Sequence, residues 1–73
     1  MWIKEKETDR VVNLNLCESV FVLPYGYNQY GVYVRKNGDN YCIGAYNTED
    51  EANKAFEDIL HIIARNDYLI TMN

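Results

Sequence analysis

Between Thr48 and Asn66 runs the one segment of this chain whose apolar residues recur at helical spacing, which leaves everything before it to strands and turns. Ala52, Ala55, Phe56, Ile59, Leu60, Ile62 and Ile63 follow the i, i+3, i+4, i+7 pattern with no glycine or proline among them. Both ends carry stop signals. Thr48 and Glu51 form a capping box, in which the hydroxyl accepts from the Glu51 amide and the carboxylate reaches back to the Thr48 amide. Glu49 and Asp50 put negative charge in the first turn, where the helix dipole favours it. Arg65 sits in the last turn and Asn66 suits the left-handed residue that closes a helix. The spacing predicts a helix over residues 48–66.

The apolar positions sweep about 200° of that helix, against the ~100° stripe that one packed face requires. The excess lies in its C-terminal half, at Leu60, Ile62 and Ala64. Either the apolar tail over residues 67–73, with Leu69 and Ile70, folds back over it, or a second protein chain covers it; the tail is itself strand-like and suits an added edge strand, in this protomer or in a neighbour. A chain of 73 residues buries only about 60% of its extended surface, so a homo-oligomer is expected, with Leu60, Ile62, Ala64, Leu69 and Ile70 at its interface. The net charge of −4 is local: residues 48–67 hold six acids and two bases, and the rest of the chain holds five of each. This acidity reads as a solvated helix face. An alternative is that Glu49, Asp50, Glu57 and Asp58 imitate a phosphate backbone.

The rest of the chain reads as strands over residues 1–5, 10–14, 16–23, 30–36 and 39–46. Ser19 to Leu23 alternates too little for a sheet with one wet face, and Pro24 stops it. Asn37-Gly38 is the most specific turn, because a type I′ hairpin needs positive φ at both central residues. Counting outward pairs Lys36 with Asp39, Val34 with Tyr41, Val32 with Ile43 and Tyr30 with Ala45 on an apolar face. Arg35 with Asn40, Tyr33 with Cys42 and Gly31 with Gly44 make the other, thinner face. The helix residues Ala52, Ala55, Phe56, Ile59 and Ile63 are expected to pack on Val32, Val34, Ile43 and Ala45, and Trp2 to be tied down against the core. The expected fold is a single α+β domain over residues 1–73: an antiparallel meander of four or five strands with one C-terminal helix on one face.

Chemistry is sparsely signalled. The single histidine, His61, falls on the polar side of the helix beside Glu57, Asp58 and Arg65. Cys17 and Cys42 lack metal-ligand spacing and read as reduced thiols packed as small hydrophobes. There is no phosphate-binding glycine loop, metal cluster or serine elbow, so no enzyme, metal or cofactor is expected. Without a basic stripe, direct nucleic-acid binding is not expected. The apolar runs are too short for a membrane span or a signal peptide, and a cytoplasmic protein is expected.

The tyrosines say more. There are seven, and Tyr25, Tyr27 and Tyr30 lie in or beside one glycine-containing loop. Tyrosine offers a large contact area at low conformational cost, with a polar tip. Tyr25, Tyr27, Asn28 and Tyr30, with Tyr33 and Arg35 on the thin hairpin face, are therefore the candidate partner-binding residues. The competing reading places these rings at the edge of a small core.

The Trp2-Ile3-Lys4 opening, Val12-Asn13-Leu14, the Asn37-Gly38 hairpin and the Thr48-Glu49-Asp50-Glu51-Ala52 helix start resemble short proteins of Firmicutes phages and prophages. That resemblance implies an accessory protein acting on the host, in some cases an inhibitor of bacterial immunity. The expected function is non-enzymatic binding and inhibition or modulation of a host protein. The alternatives are an oligomeric binder that sequesters a nucleotide signal and a small assembly protein.

Overall fold

The computed structural model describes residues 2–6, 10–65 and 69–71 of the chain, the last three by their backbone pairing alone. The chain is α+β, with strands β1 (Trp2–Lys4), β2 (Val11–Asn13), β3 (Ser19–Pro24), β4 (Tyr30–Lys36), β5 (Asp39–Tyr46) and β6 (Leu69–Thr71), and one helix, α1 (Glu49–Ala64). The expected single meander is instead divided into two three-stranded sheets, ordered β2-β1-β6 and β3-β4-β5. The break lies where a continuous strand over 16–23 was expected. Asn13 accepts from the Asn15 amide through its side chain and starts a 3-10 turn over Leu14–Leu16, so β3 begins only at Ser19. The tail strand β6 pairs in parallel with β1, Ile70 facing Ile3, within the same chain.

The helix starts as its sequence dictates, with the Glu51 amide donating to the Thr48 hydroxyl oxygen at 3.1 Å. The hydroxyl in turn donates to the Glu51 carboxylate at 3.0 Å, where the sequence predicts a carboxylate reaching the backbone. At the other end Arg65 is right-handed (φ −91°) and its amide donates to the His61 and Ile62 carbonyls; Asn66 lies outside the described residues.

In the β4–β5 hairpin the turn residues Asn37 (φ 54°) and Gly38 (φ 83°) both take the positive φ that a type I′ turn requires. The expected pairs Lys36–Asp39, Arg35–Asn40, Val34–Tyr41 and Tyr33–Cys42 form, and then a β-bulge between Val32 and Tyr33 shifts the register. Val32 faces Gly44, Gly31 faces Ala45 and Tyr30 faces Tyr46, in place of the pairs with Ile43, Gly44 and Ala45. Ile43 is the extra residue on β5: it keeps the core face expected of it, and the shift after it sends Ala45 to the far side. Tyr46 takes the core position expected of Ala45.

The core is Ile3, Val32, Val34, Ile43, Tyr46, Ala52 and Ile59, with Val20, Val22, Tyr30, Ala55, Ile62 and Ile63 packed around it. Ile3 has the inward face of β1, so alternation turns its neighbour Trp2 outward, 47% exposed, against the expectation that it is tied down. The two sheets are joined at the bulge. The Lys6 amide donates to the Ile43 carbonyl at 3.0 Å, and its ammonium donates to the Ala45 carbonyl at 2.8 Å while lying 4.1 Å above the Tyr46 ring. Glu5, only 5% exposed, is held by an ion pair with Arg10 and donates its amide to the Arg10 carbonyl. Among the described residues, no helix is long and apolar enough to cross a membrane.

Candidate recognition face

The second face of β3-β4-β5 carries the site. Alternation sends Val20, Val22, Val32 and Val34 to the core, and therefore Phe21, Leu23, Tyr33 and Arg35 away from it. Tyr33 is the centre. Its ring stacks on Phe21, its partner across the strands, with centroids 5.8 Å apart and planes within 6°. Tyr25 leans on the same ring from the loop, at 6.4 Å and 46°. Such pairs contribute about 0.5–1.5 kcal/mol beyond the area they bury. The Arg35 guanidinium lies 5.9 Å from the Phe21 centroid and is fixed by its Nε donating to Asn40 at 3.0 Å.

Gly31 makes this arrangement possible. A Cβ built there would lie 2.8 Å from the Tyr33 ring, 3.1 Å from the Cys42 sulfur and 3.2 Å from the Tyr25 Cβ. The bare Cα is therefore the floor on which the Tyr33 ring lies. Burial pushes the Tyr33 hydroxyl above its ordinary pKa, reinforced by Cys42 and Tyr25, so it is a neutral hydrogen-bonding tip at physiological pH. The loop after Pro24 is closed by the Tyr25 amide donating to the Gln29 carbonyl at 2.8 Å, with Gly26 and Asn28 left-handed.

Of the six residues singled out from sequence, the structure brings Tyr25, Tyr33 and Arg35 together on this face. Tyr27, 89% exposed, and Asn28 sit at the loop tip, while Tyr30 packs against the core opposite Tyr46. Sequence reasoning missed Phe21, Leu23 and Gly31, because it expected residues 19–23 to be covered on both sides. Leu23 is 43% exposed. Counting outward from the Pro24–Tyr30 pair, as was done for the Asn37-Gly38 hairpin, places Phe21 beside Tyr33.

The residues expected at an oligomer interface are spread out. Leu60 and Ala64 are exposed on α1 and Ile62 packs at the core margin, whereas the side chains of Leu69 and Ile70 lie outside the described residues. His61 and the four helix acids Glu49, Asp50, Glu57 and Asp58 are exposed. Cys17 and Cys42 are free thiols, and burial pushes both above their ordinary pKa, which disfavours the nucleophilic thiolate. Among the described residues, no group of three metal-ligating side chains gathers. No protein-family model, curated protein or solved structure matches the chain.

Proposed function

We propose that this chain is a non-enzymatic accessory protein of a phage or other mobile element, and that it binds and inhibits or modulates a host protein through the outer face of β3-β4-β5. A component of bacterial anti-phage defence in the host cytoplasm is the partner class in view, with the chain acting as a homo-oligomer. The observation that supports this reading is the Phe21–Tyr33–Tyr25 cluster, laid on a glycine and flanked by exposed Leu23 and an immobilised arginine. Aromatic rings and arginine are the residues that anchor protein interfaces, the rings because they offer a large area at low entropic cost and arginine because its planar guanidinium makes several directed hydrogen bonds. Here the strands already hold them in place.

The test is affinity capture from a Firmicutes host with three forms of the chain. The wild type and a helix variant, Glu57→Gln with Asp58→Asn, are expected to retain the same stoichiometric host protein. The variant Phe21→Ser with Arg35→Ala is expected to lose it while keeping its circular dichroism spectrum. A partner held by the face variant and lost by the helix variant would overturn the proposal.

A further inference from the structure

A second, independent site lies on the other side of the molecule. A cleft of about 460 Å³ opens between β2 and the turn end of the β4–β5 hairpin, within the ~300–1,000 Å³ typical of small-molecule sites. Trp2, Val11, Leu16 and Tyr41 are the exposed part of its apolar walls, with Val12 and Val34 deeper. The exposed four are half of the eight large hydrophobic side chains exposed among the described residues, so the cleft is one of the places where exposed apolar surface is concentrated.

The polar lining is cationic although the chain as a whole carries −4. Lys36 and Arg10 line the cleft, and among the described residues no carboxylate does. Arg10 is bound to Glu5 behind it. Lys36 is half-buried, close enough to the Cys17 thiol to pull its pKa down against burial, and has no ion pair among the described residues. Its cross-strand partner Asp39 does not line the cleft, and among the described residues no carboxylate lies within ion-pair distance, so the partly buried ammonium offers its charge to an anion in the cleft. Beside it the Asn37 side-chain amide, one residue along in the turn, provides donors and an acceptor. Two aromatic side chains, a lysine and an amide around one opening match a flat heteroaromatic ring joined to an anionic group.

We infer that the cleft between β2 and the β4–β5 turn binds a nucleoside monophosphate, with the base against Trp2 and Tyr41, its edge at Asn37 and the phosphate at Lys36. Stacking on the two rings supplies the affinity of the base. The Lys36 ammonium selects for the phosphate. This site shares no residue with the outer face of β3-β4-β5, so either can fail without the other.

Trp2 is the only tryptophan in the chain and lines the cleft, so its fluorescence reports occupancy without a label. Titration with adenosine monophosphate is expected to quench it saturably, with adenosine and inorganic phosphate each binding more weakly by at least roughly ten-fold, about 1.4 kcal/mol. Lys36→Gln is expected to weaken binding by roughly ten-fold, with Lys36→Arg restoring most of it and Phe21→Ser leaving it unchanged. No saturable quenching by adenosine monophosphate, equal binding of adenosine, or an affinity indifferent to Lys36→Gln in a folded variant would overturn the assignment.

Discussion

The two faces of β3-β4-β5 are built from the same strands and nearly the same residue types, yet they do opposite things with them. On the inner face Val32 and Val34 are fully buried in the core with Ile3 and the helix residues Ala52 and Ile59, and Val20 and Val22 pack half-buried against them. On the outer face Phe21, Leu23 and Tyr33, one residue along from each, remain wholly or partly in water. The inner side chains gain stability from burial and close packing. The outer rings gain order from one another and from the Gly31 floor. Apolar character alone therefore does not identify the core of a small domain; what matters is whether a second layer covers the face.

The comparison breaks most visibly under single substitutions on either face. Ile59→Ala removes a fully buried side chain from α1 and is expected to cost about 3 kcal/mol in urea denaturation, a large share of the ~5–15 kcal/mol that holds a domain together. Gly31→Ala comes next, at about 1–2 kcal/mol. Its new methyl must displace the Tyr33 ring, so it is expected to abolish partner capture as well. Phe21→Ser is expected to cost about 1 kcal/mol, the loss of one cross-strand aromatic pair on a half-covered face. If Phe21→Ser proved as damaging as Ile59→Ala, the outer face would be core.

A smaller effect sharpens the contrast through pH. Tyr46 is buried on the inner face, and burial first, then Asp58, Cys42 and Glu51, pushes its hydroxyl above the ordinary 10.0. A phenol with a raised folded pKa contributes stability that is complete below the unfolded value and is lost as pH rises through the folded one. The melting temperature is therefore expected to hold from neutral pH to about pH 9 and to fall above it. Tyr46→Phe should flatten that fall more than Tyr33→Phe, whose ring is less enclosed. Equal flattening by both would erase the difference between the faces.

What the sequence made legible was local. The Thr48 cap, the helix and the Asn37-Gly38 hairpin are each specified by residues within a few positions of one another, and each formed. The β-bulge in the hairpin did carry a signal, Gly44 inside the strand beside the extra residue Ile43, but a glycine there fits a plain pair with Gly31 as well, and only the burial of both Ile43 and Tyr46 decides for the bulge. The tail is legible as an added edge strand, but its partner β1 was hidden for a different reason. The pairing joins the two ends of the chain in parallel, and nothing in three short residues names a partner so far away. For the site, Tyr25, Tyr33 and Arg35 were visible from residue type and hairpin register. Phe21, Leu23 and Gly31 were not, because a run of hydrophobic residues reads as buried until its partner strand is known. Trp2 misled in the same way: its size argued for the core, and strand alternation overruled it.

Site-specific photocrosslinking tests the central claim most directly. A benzoylphenylalanine is placed at Tyr33 in one form of the protein and at Asp58, on the exposed side of α1, in another, and each is irradiated in host cells. A single host protein joined at position 33 and absent at position 58 is the expected result. A partner joined at position 58 alone would contradict the account, because the helix would then be the binding face and the aromatic cluster only part of the scaffold.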